Sequence, residues 1–166
     1  PWTHGAMLPV RVELRAFAAW AEDHTQAVNV ITYLEAQLVA WGLADAWSMV
    51  RDALRSDRPV LVLFDGLDEV PTSSRGIVVQ AVQTFGDHYT QHRVVVTCRP
   101  YAYVGQPWPL RRFTEVTLAP FNEDQQDTFI ATWYGELANQ DRLAESEAQA
   151  RAQQLQRAVR RRDLAG

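Results

Sequence analysis

Three carboxylates follow directly after a run of apolar residues near the middle of the chain. Residues 60–64 read VLVLF, and Asp65, Asp68 and Glu69 come within the next five positions. In open parallel sheets, ligands bind at the carboxyl ends of the strands, and a strand over residues 60–64 places these acids there. Carboxylates this close repel one another, and Mg²⁺ relieves that repulsion while it keeps waters and phosphate oxygens as further ligands. The pattern predicts a magnesium site at Asp65; an exposed acidic loop without a ligand is the alternative.

A second apolar run also ends in polar residues. Three valines at positions 94–96 precede Thr97 and Arg99. If the two runs form neighbouring strands, Thr97 and Arg99 lie beside Asp65 at the same edge of the sheet. An arginine there can bind a phosphate through two N–H groups and stabilise charge on a transferring phosphoryl group. A salt bridge from Arg99 to one of the three carboxylates explains the same residues without a ligand, and the sequence leaves both readings open.

The elements predicted around these residues alternate between strands and helices. Period-two alternation over residues 9–15 predicts a strand. The unbroken apolar run at 60–64 predicts a strand buried on both faces, and the short run at 94–97 predicts a further strand. Residues 115–118 are a fourth candidate strand. Helices are predicted between these segments and over residues 122–137 and 143–164. The order predicts an α/β fold of three layers, with helices on both faces of a mostly parallel sheet.

Several helix ends have recognisable signals in the sequence. The predicted signals are Thr25 as the N-cap of the first long helix, Ser73 or Ser74 as the cap of the helix that Gly86 ends, and a capping box between Asn122 and Gln125.

The composition is that of an ordinary globular protein. Of 166 residues, 47% are hydrophobic and 22% are charged, and the net charge of -4 argues against nucleic acid as a partner. A single cysteine excludes an internal disulfide and fits a reducing compartment. The apolar runs are also far shorter than the roughly 18 residues of a membrane span. We therefore expect a cytoplasmic protein that does not enter membranes.

The motif DGLDEVP after an apolar strand, followed by VVVTCRPYAY, resembles the NACHT domain of the STAND class of P-loop NTPases. PVRVELRAFA and VTLAPFNEDQQDTFIATWYGEL are similar to further segments of bacterial members. The resemblance covers most of residues 8–138. It implies a P-loop NTPase-like fold, with residues 1–138 as part of the NACHT core and residues 139–166 as a helical segment leading toward a further helical region.

The resemblance also implies a role for each residue of the two motifs. Asp65 would hold Mg²⁺ through water, and Asp68 or Glu69 would orient or deprotonate the attacking water. Arg99 would be the sensor 1 residue that reads the γ-phosphate, with Thr97 in support. Members of the family are ATP- or GTP-driven signalling switches that oligomerise when they sense a ligand. The implied cofactors are therefore Mg²⁺ and ATP or GTP, and the implied assembly is a homo-oligomer.

The chain departs from the family at the phosphate-binding loop. That loop has the pattern GxxxxGK[ST], whose lysine reaches the β- and γ-phosphates. The pattern does not occur here, and all sixteen basic residues of the chain are arginine. We therefore expect an internal part of a longer protein, without the P-loop strand. By itself it should bind ATP weakly or not at all and be inactive, and its partner is the remainder of its parent chain.

Two functions of other classes remain open at the level of the sequence. One is a nucleotide-independent interaction scaffold, in which Arg99 and the acidic residues form salt bridges. The other is a Mg²⁺-dependent hydrolase unrelated to P-loop proteins; many such sites also use a lysine, which this chain lacks.

Overall fold

The computed structural model describes residues 5–24, 28–103 and 110–162. The chain divides into two compact units, Pro1–Glu115 and Val116–Gly166. The predicted assignment of residues 1–138 to one domain stays a prediction.

A three-stranded parallel sheet forms the centre of the first unit. Its strands are β1 (Leu8–Glu13), β2 (Val60–Asp65) and β3 (Arg93–Val96), in the order β1-β2-β3. Parallel neighbours need crossover connections, which the helices between the strands supply. The predicted α/β class and the parallel pairing of the three strands are confirmed.

The register of the strands separates their side chains onto two faces. Val12 pairs with Phe64 and Phe64 with Val96, so these three side chains point to the same face, here called the covered face. Val12 and Phe64 on that face are at most 1% exposed. The opposite face, here called the open face, is exposed or half-buried, and it is formed by Pro9, Arg11, Glu13, Leu61, Leu63, Asp65, Arg93 and Val95.

The helices of the first unit pack on the covered face. They are α1 (Leu14–Asp23), α2 (Val30–Ala40), α3 (Ala44–Arg55) and α4 (Thr72–His88); the first unit also contains the short α5 (Pro100–Tyr103), which has no buried residue. Buried side chains of α1 to α4 form one hydrophobic cluster with this face, in which the Phe64 ring meets the Phe85 ring edge-on at 5.6 Å. Because the open face is not buried within the described part of this unit, helices on both faces stay a prediction.

Helix α4 differs from its prediction at both ends. It begins at Thr72 after Pro71, and no side chain caps it. The predicted serine cap is wrong, since the Ser74 hydroxyl instead donates to Glu22 of α1 at 2.8 Å. The predicted end at Gly86 is also wrong, because the helix continues to His88. A Cβ on Gly86 would lie 3.3 Å from the Phe113 ring, so this glycine makes room for packing and does not end the helix.

The start of α2 is set by a different residue from the one predicted. Asn29 is its N-cap, and the Asn29 side chain accepts a hydrogen bond from the Thr32 N–H at 2.8 Å. The predicted cap, Thr25, lies outside the described residues.

The second unit is a pair of helices, α6 (Glu123–Asn139) and α7 (Glu145–Arg162). The capping box between Asn122 and Gln125 is confirmed in both directions. The predicted strand at 115–118 is wrong: this segment forms no strand, and Val116 and Leu118 are 85% and 93% exposed. An extended segment is held in a sheet by backbone bonds to a neighbour, and none of the described strands pairs with it.

Candidate functional site

The three carboxylates lie on a tight turn at the carboxyl end of β2, here called the acidic turn (residues 65–69). Gly66 adopts a left-handed conformation, with φ 79° and ψ 54°, and a 3-10 turn over Leu67–Glu69 follows. Leu67 is 1% exposed and anchors the turn in the core. A Cβ on Gly66 would be strained by this backbone and would lie 3.4 Å from Cδ of Glu69. Glycine is therefore what lets the chain reverse directly after Asp65.

Thr97 joins the acidic turn to the end of β3. Its hydroxyl donates to Oδ1 of Asp65 at 2.7 Å and accepts from the Gly66 N–H at 2.9 Å. Its carbonyl accepts from the Leu67 N–H at 2.9 Å. The expectation that β2 and β3 are neighbours, with Thr97 beside Asp65, is confirmed. These bonds hold Thr97 against the acidic turn, and its hydroxyl orients the Asp65 carboxylate.

Arg99 is held by Asp68 and does not bond Asp65. Its backbone N–H donates to Oδ1 of Asp68 at 3.2 Å, and its guanidinium Nε lies 3.4 Å from Oδ2 of the same residue. The guanidinium also donates to the Tyr101 hydroxyl at 3.1 Å. That hydrogen bond, together with the charge of Asp68, raises the pKa of Arg99. Arg99 is thus a fixed cation, and its side chain is still 65% exposed.

Arg11 of β1 is a member of the site that the sequence did not reveal. Its Nε and Nη2 donate to Oδ2 of Asp65 at 3.0 and 2.6 Å. The hydrogen bond from Thr97 and then that from Arg11 hold the pKa of Asp65 below its ordinary value. The alternation at 9–15 does place Arg11 on the opposite face of the strand from Val10 and Val12. Only the register of β1 on β2 shows that Asp65 lies on the same face of the sheet as Arg11.

The three carboxylates differ in exposure. The Asp68 side chain is 10% exposed, whereas that of Asp65 is 35% exposed. Glu69 is exposed. A second arginine missed by the sequence, Arg75 of α4, donates to the carbonyl of Asp68 in the acidic turn and to that of Val70, the residue after the turn. The site thus combines an oriented carboxylate (Asp65), a carboxylate that bonds to protein groups (Asp68) and a carboxylate open to solvent (Glu69).

The magnesium site expected at Asp65 stays a prediction. In the described ranges, no group of three or more His, Cys, Asp and Glu side chains is arranged to hold a metal ion. Mg²⁺ commonly uses only one or two carboxylates and completes its shell with water and phosphate oxygens. Thr97 orients one oxygen of Asp65, and the exposed Arg11 can leave the other. Asp65 is therefore suited to a water-mediated contact.

No protein-family model, curated protein or solved structure matches this chain. None of the described helices offers the length of apolar surface that a bilayer crossing requires.

Proposed function

We propose that this chain supplies the acidic Walker B motif (residues 65–69) and the sensor 1 residue (Arg99) of a NACHT-type signalling switch that hydrolyses ATP or GTP. The observation that carries the proposal is the meeting of two motifs at one sheet edge. Asp65 ends β2, Thr97 follows the neighbouring parallel strand β3, and a hydrogen bond of 2.7 Å joins them. Carboxyl ends of parallel strands are where such sheets bind ligands.

Glu69 is our choice for the residue that orients or deprotonates the attacking water. A general base must reach its water, and Glu69 is exposed at the end of the acidic turn. Asp68 is nearly buried and its carboxylate already accepts the Arg99 N–H. Asp68 therefore links the acidic turn to the segment after β3, and its proposed role is structural.

Arg99 and Asp65 are proposed to contact the charged parts of the nucleotide. Arg99 is fixed through its backbone while its guanidinium stays exposed, so a γ-phosphate can replace Tyr101 and Asp68 as its partner. Asp65 is oriented by Thr97 toward the same edge. When bound, Mg²⁺ would neutralise phosphate charge and polarise the bond that is cleaved.

The phosphate-binding loop belongs, in this proposal, to another part of the parent protein. This chain has no lysine and no GxxxxGK[ST] pattern. β3 is an edge strand of the described sheet, and the resemblance places the P-loop strand beside it. The remainder of the parent chain is thus the first partner of this segment. Residence in the cytoplasm, and a homo-oligomer in the active state, are parts of the same proposal.

The test is Mg²⁺-dependent hydrolysis of ATP and GTP by the full-length protein that contains this sequence. Asp65→Asn keeps the shape of the side chain and removes its charge, so we expect turnover to fall by about 100-fold or more. Asp124→Asn, in the exposed first turn of α6, is the matched control and should leave turnover unchanged. Equal turnover in the wild type and Asp65→Asn would overturn the proposal.

A nucleotide-independent interaction scaffold is the second candidate. It is favoured by the two ion pairs Arg11–Asp65 and Arg99–Asp68, which satisfy these carboxylates with protein groups alone. If the chain is a scaffold, the full-length protein would hydrolyse neither ATP nor GTP. Asp65→Asn would then only remove the Arg11–Asp65 ion pair and loosen the structure around it. The same assay therefore separates the two candidates.

A further inference from the structure

Arg75 connects the first turn of α4 to the acidic turn. Its Nη2 donates to the Val70 carbonyl at 2.7 Å and to the Asp68 carbonyl at 3.3 Å. Arg75 is half-buried, and Nε is enclosed by protein. The guanidinium thus contacts the backbone at the end of the acidic turn, at Asp68 and at the following residue, Val70.

The two carbonyls that Arg75 contacts flank Glu69 in the chain. A carbonyl at the end of a short helical turn has no partner within that turn, and a charged donor makes a stronger bond to it than a neutral one. On the other side, the Glu69 N–H donates to the Gly66 carbonyl at 3.0 Å. The backbone of Glu69 is therefore held from both ends while its side chain remains exposed.

We propose that Arg75 is a positioning residue that fixes the direction in which Glu69 projects from the acidic turn. The proposal rests on the proposed function, because Glu69 is there the residue that acts on water. Arg75 itself touches neither water nor nucleotide in this account. Its effect on turnover passes through the Glu69 backbone, because a small misplacement of a catalytic group strongly reduces the rate.

The positioning is tested first on this chain by NMR hydrogen exchange. Arg75→Met keeps the apolar stem and removes both hydrogen bonds, so exchange of the Glu69 and Val70 amides should accelerate about tenfold. Arg75→Lys keeps a charged donor and should give an intermediate rate. The control, Arg112→Met, removes an exposed pair with Asp87 and should leave both amides unchanged. Unchanged exchange in Arg75→Met would overturn the proposal.

The consequence for Glu69 is tested by turnover of the full-length protein. Arg75→Met should lower kcat about tenfold and change KM for the nucleotide less than twofold, with partial recovery in Arg75→Lys. Combined with Glu69→Gln, it should cause no further loss, because residues that act through one group are not additive. A further tenfold loss in the double variant would show that Arg75 does not act through Glu69.

The two arms distinguish failure of this proposal from failure of the proposed function. If Glu69→Gln leaves turnover unchanged while Arg75→Met accelerates exchange, the role of Glu69 is wrong, and Arg75 is confirmed only as a support of the turn. If Glu69→Gln abolishes turnover and Arg75→Met changes neither exchange nor kcat, the role of Arg75 is wrong and that of Glu69 stands.

Discussion

At the scale of single residues, the Asp65 carboxylate is shared between two donors. Thr97 holds Oδ1, and the guanidinium of Arg11 holds Oδ2. Both donors favour the charged form, which is why the pKa of Asp65 is lowered. A phosphate or hydrated cation that reaches this edge of the sheet would therefore meet the ionised carboxylate of Asp65, which is paired with the exposed side chain of Arg11.

The first prediction concerns the Arg11–Asp65 pair. Arg11→Gln should raise the pKa of Asp65 toward the ordinary value of about 3.9, as measured by carboxyl ¹³C NMR. Because the pKa is lowered in the folded state, the pair stabilises the fold above that value, and the gain is lost as the pH falls through the folded-state pKa. The difference in stability between wild type and variant should thus shrink in acid.

Arg15→Gln is the control for this pair, because Arg15 is an exposed arginine of α1. Arg15→Gln should leave the pKa of Asp65 unchanged. An unchanged Asp65 titration in Arg11→Gln would show that the two side chains are not paired in solution.

The second prediction concerns Gly66. Gly66→Ala should lower the free energy of unfolding by about 1–2 kcal/mol, because a residue with a Cβ is strained in the left-handed region. Gly76→Ala is the control: this glycine lies within α4 with open space around it, so alanine there should be neutral or stabilising by up to about 1 kcal/mol. Urea denaturation measures both, and equal effects would contradict the observed turn.

At the scale of elements, the two faces of the sheet have unequal packing. Val62 of β2 is fully buried on the covered face, whereas Val95 of β3 is 44% exposed on the open face. Parallel sheets are usually covered on both sides, so the open face is the least complete part of the described unit.

The third prediction compares the same substitution on the two faces. Val62→Ala should destabilise the chain by about 1.5–3 kcal/mol, the value of a fully buried valine side chain. Val95→Ala should cost less than about 1 kcal/mol. Urea denaturation of both variants tests this, and equal losses would mean that the open face is buried in solution.

Local sequence patterns predicted the helices and strands well where residues a few positions apart determine the structure. The alternation of β1, the apolar run of β2 and the capping box at Asn122 each depend on neighbours a few positions away. The strand predicted at 115–118 failed because a strand also needs a partner, which no local pattern provides. The prediction that Gly86 ends α4 was wrong because this glycine makes room for the ring of Phe113, a residue distant in the sequence.

The candidate site was predicted in part for the same reason. Two motifs and the adjacency of their strands brought Asp65 and Thr97 together. Arg11 and Arg75 reach the acidic turn through strand register and through the packing of α4. Neither register nor packing can be read from single residue types, so both arginines were found only in the structure.

At the scale of the whole molecule, the proposed function makes the described residues the acidic side of a nucleotide site that takes its phosphate-binding loop from elsewhere. A P-loop binds phosphates with backbone N–H groups and a lysine, and this chain has no lysine. The fourth prediction is that the chain by itself should bind Mg·ATP with a dissociation constant weaker than about 1 mM. Isothermal calorimetry measures this, and micromolar affinity would contradict the account.

The most direct test of the central claim is hydrolysis by the full-length protein that contains this sequence, with Glu69→Gln. We expect nucleotide affinity to stay within about twofold while single-turnover hydrolysis slows by about 100-fold, the usual range for loss of a general base. Glu115→Gln, an exposed carboxylate outside the acidic turn, should behave as wild type. Hydrolysis at the wild-type rate in Glu69→Gln would contradict the assignment of the acidic turn as a catalytic element.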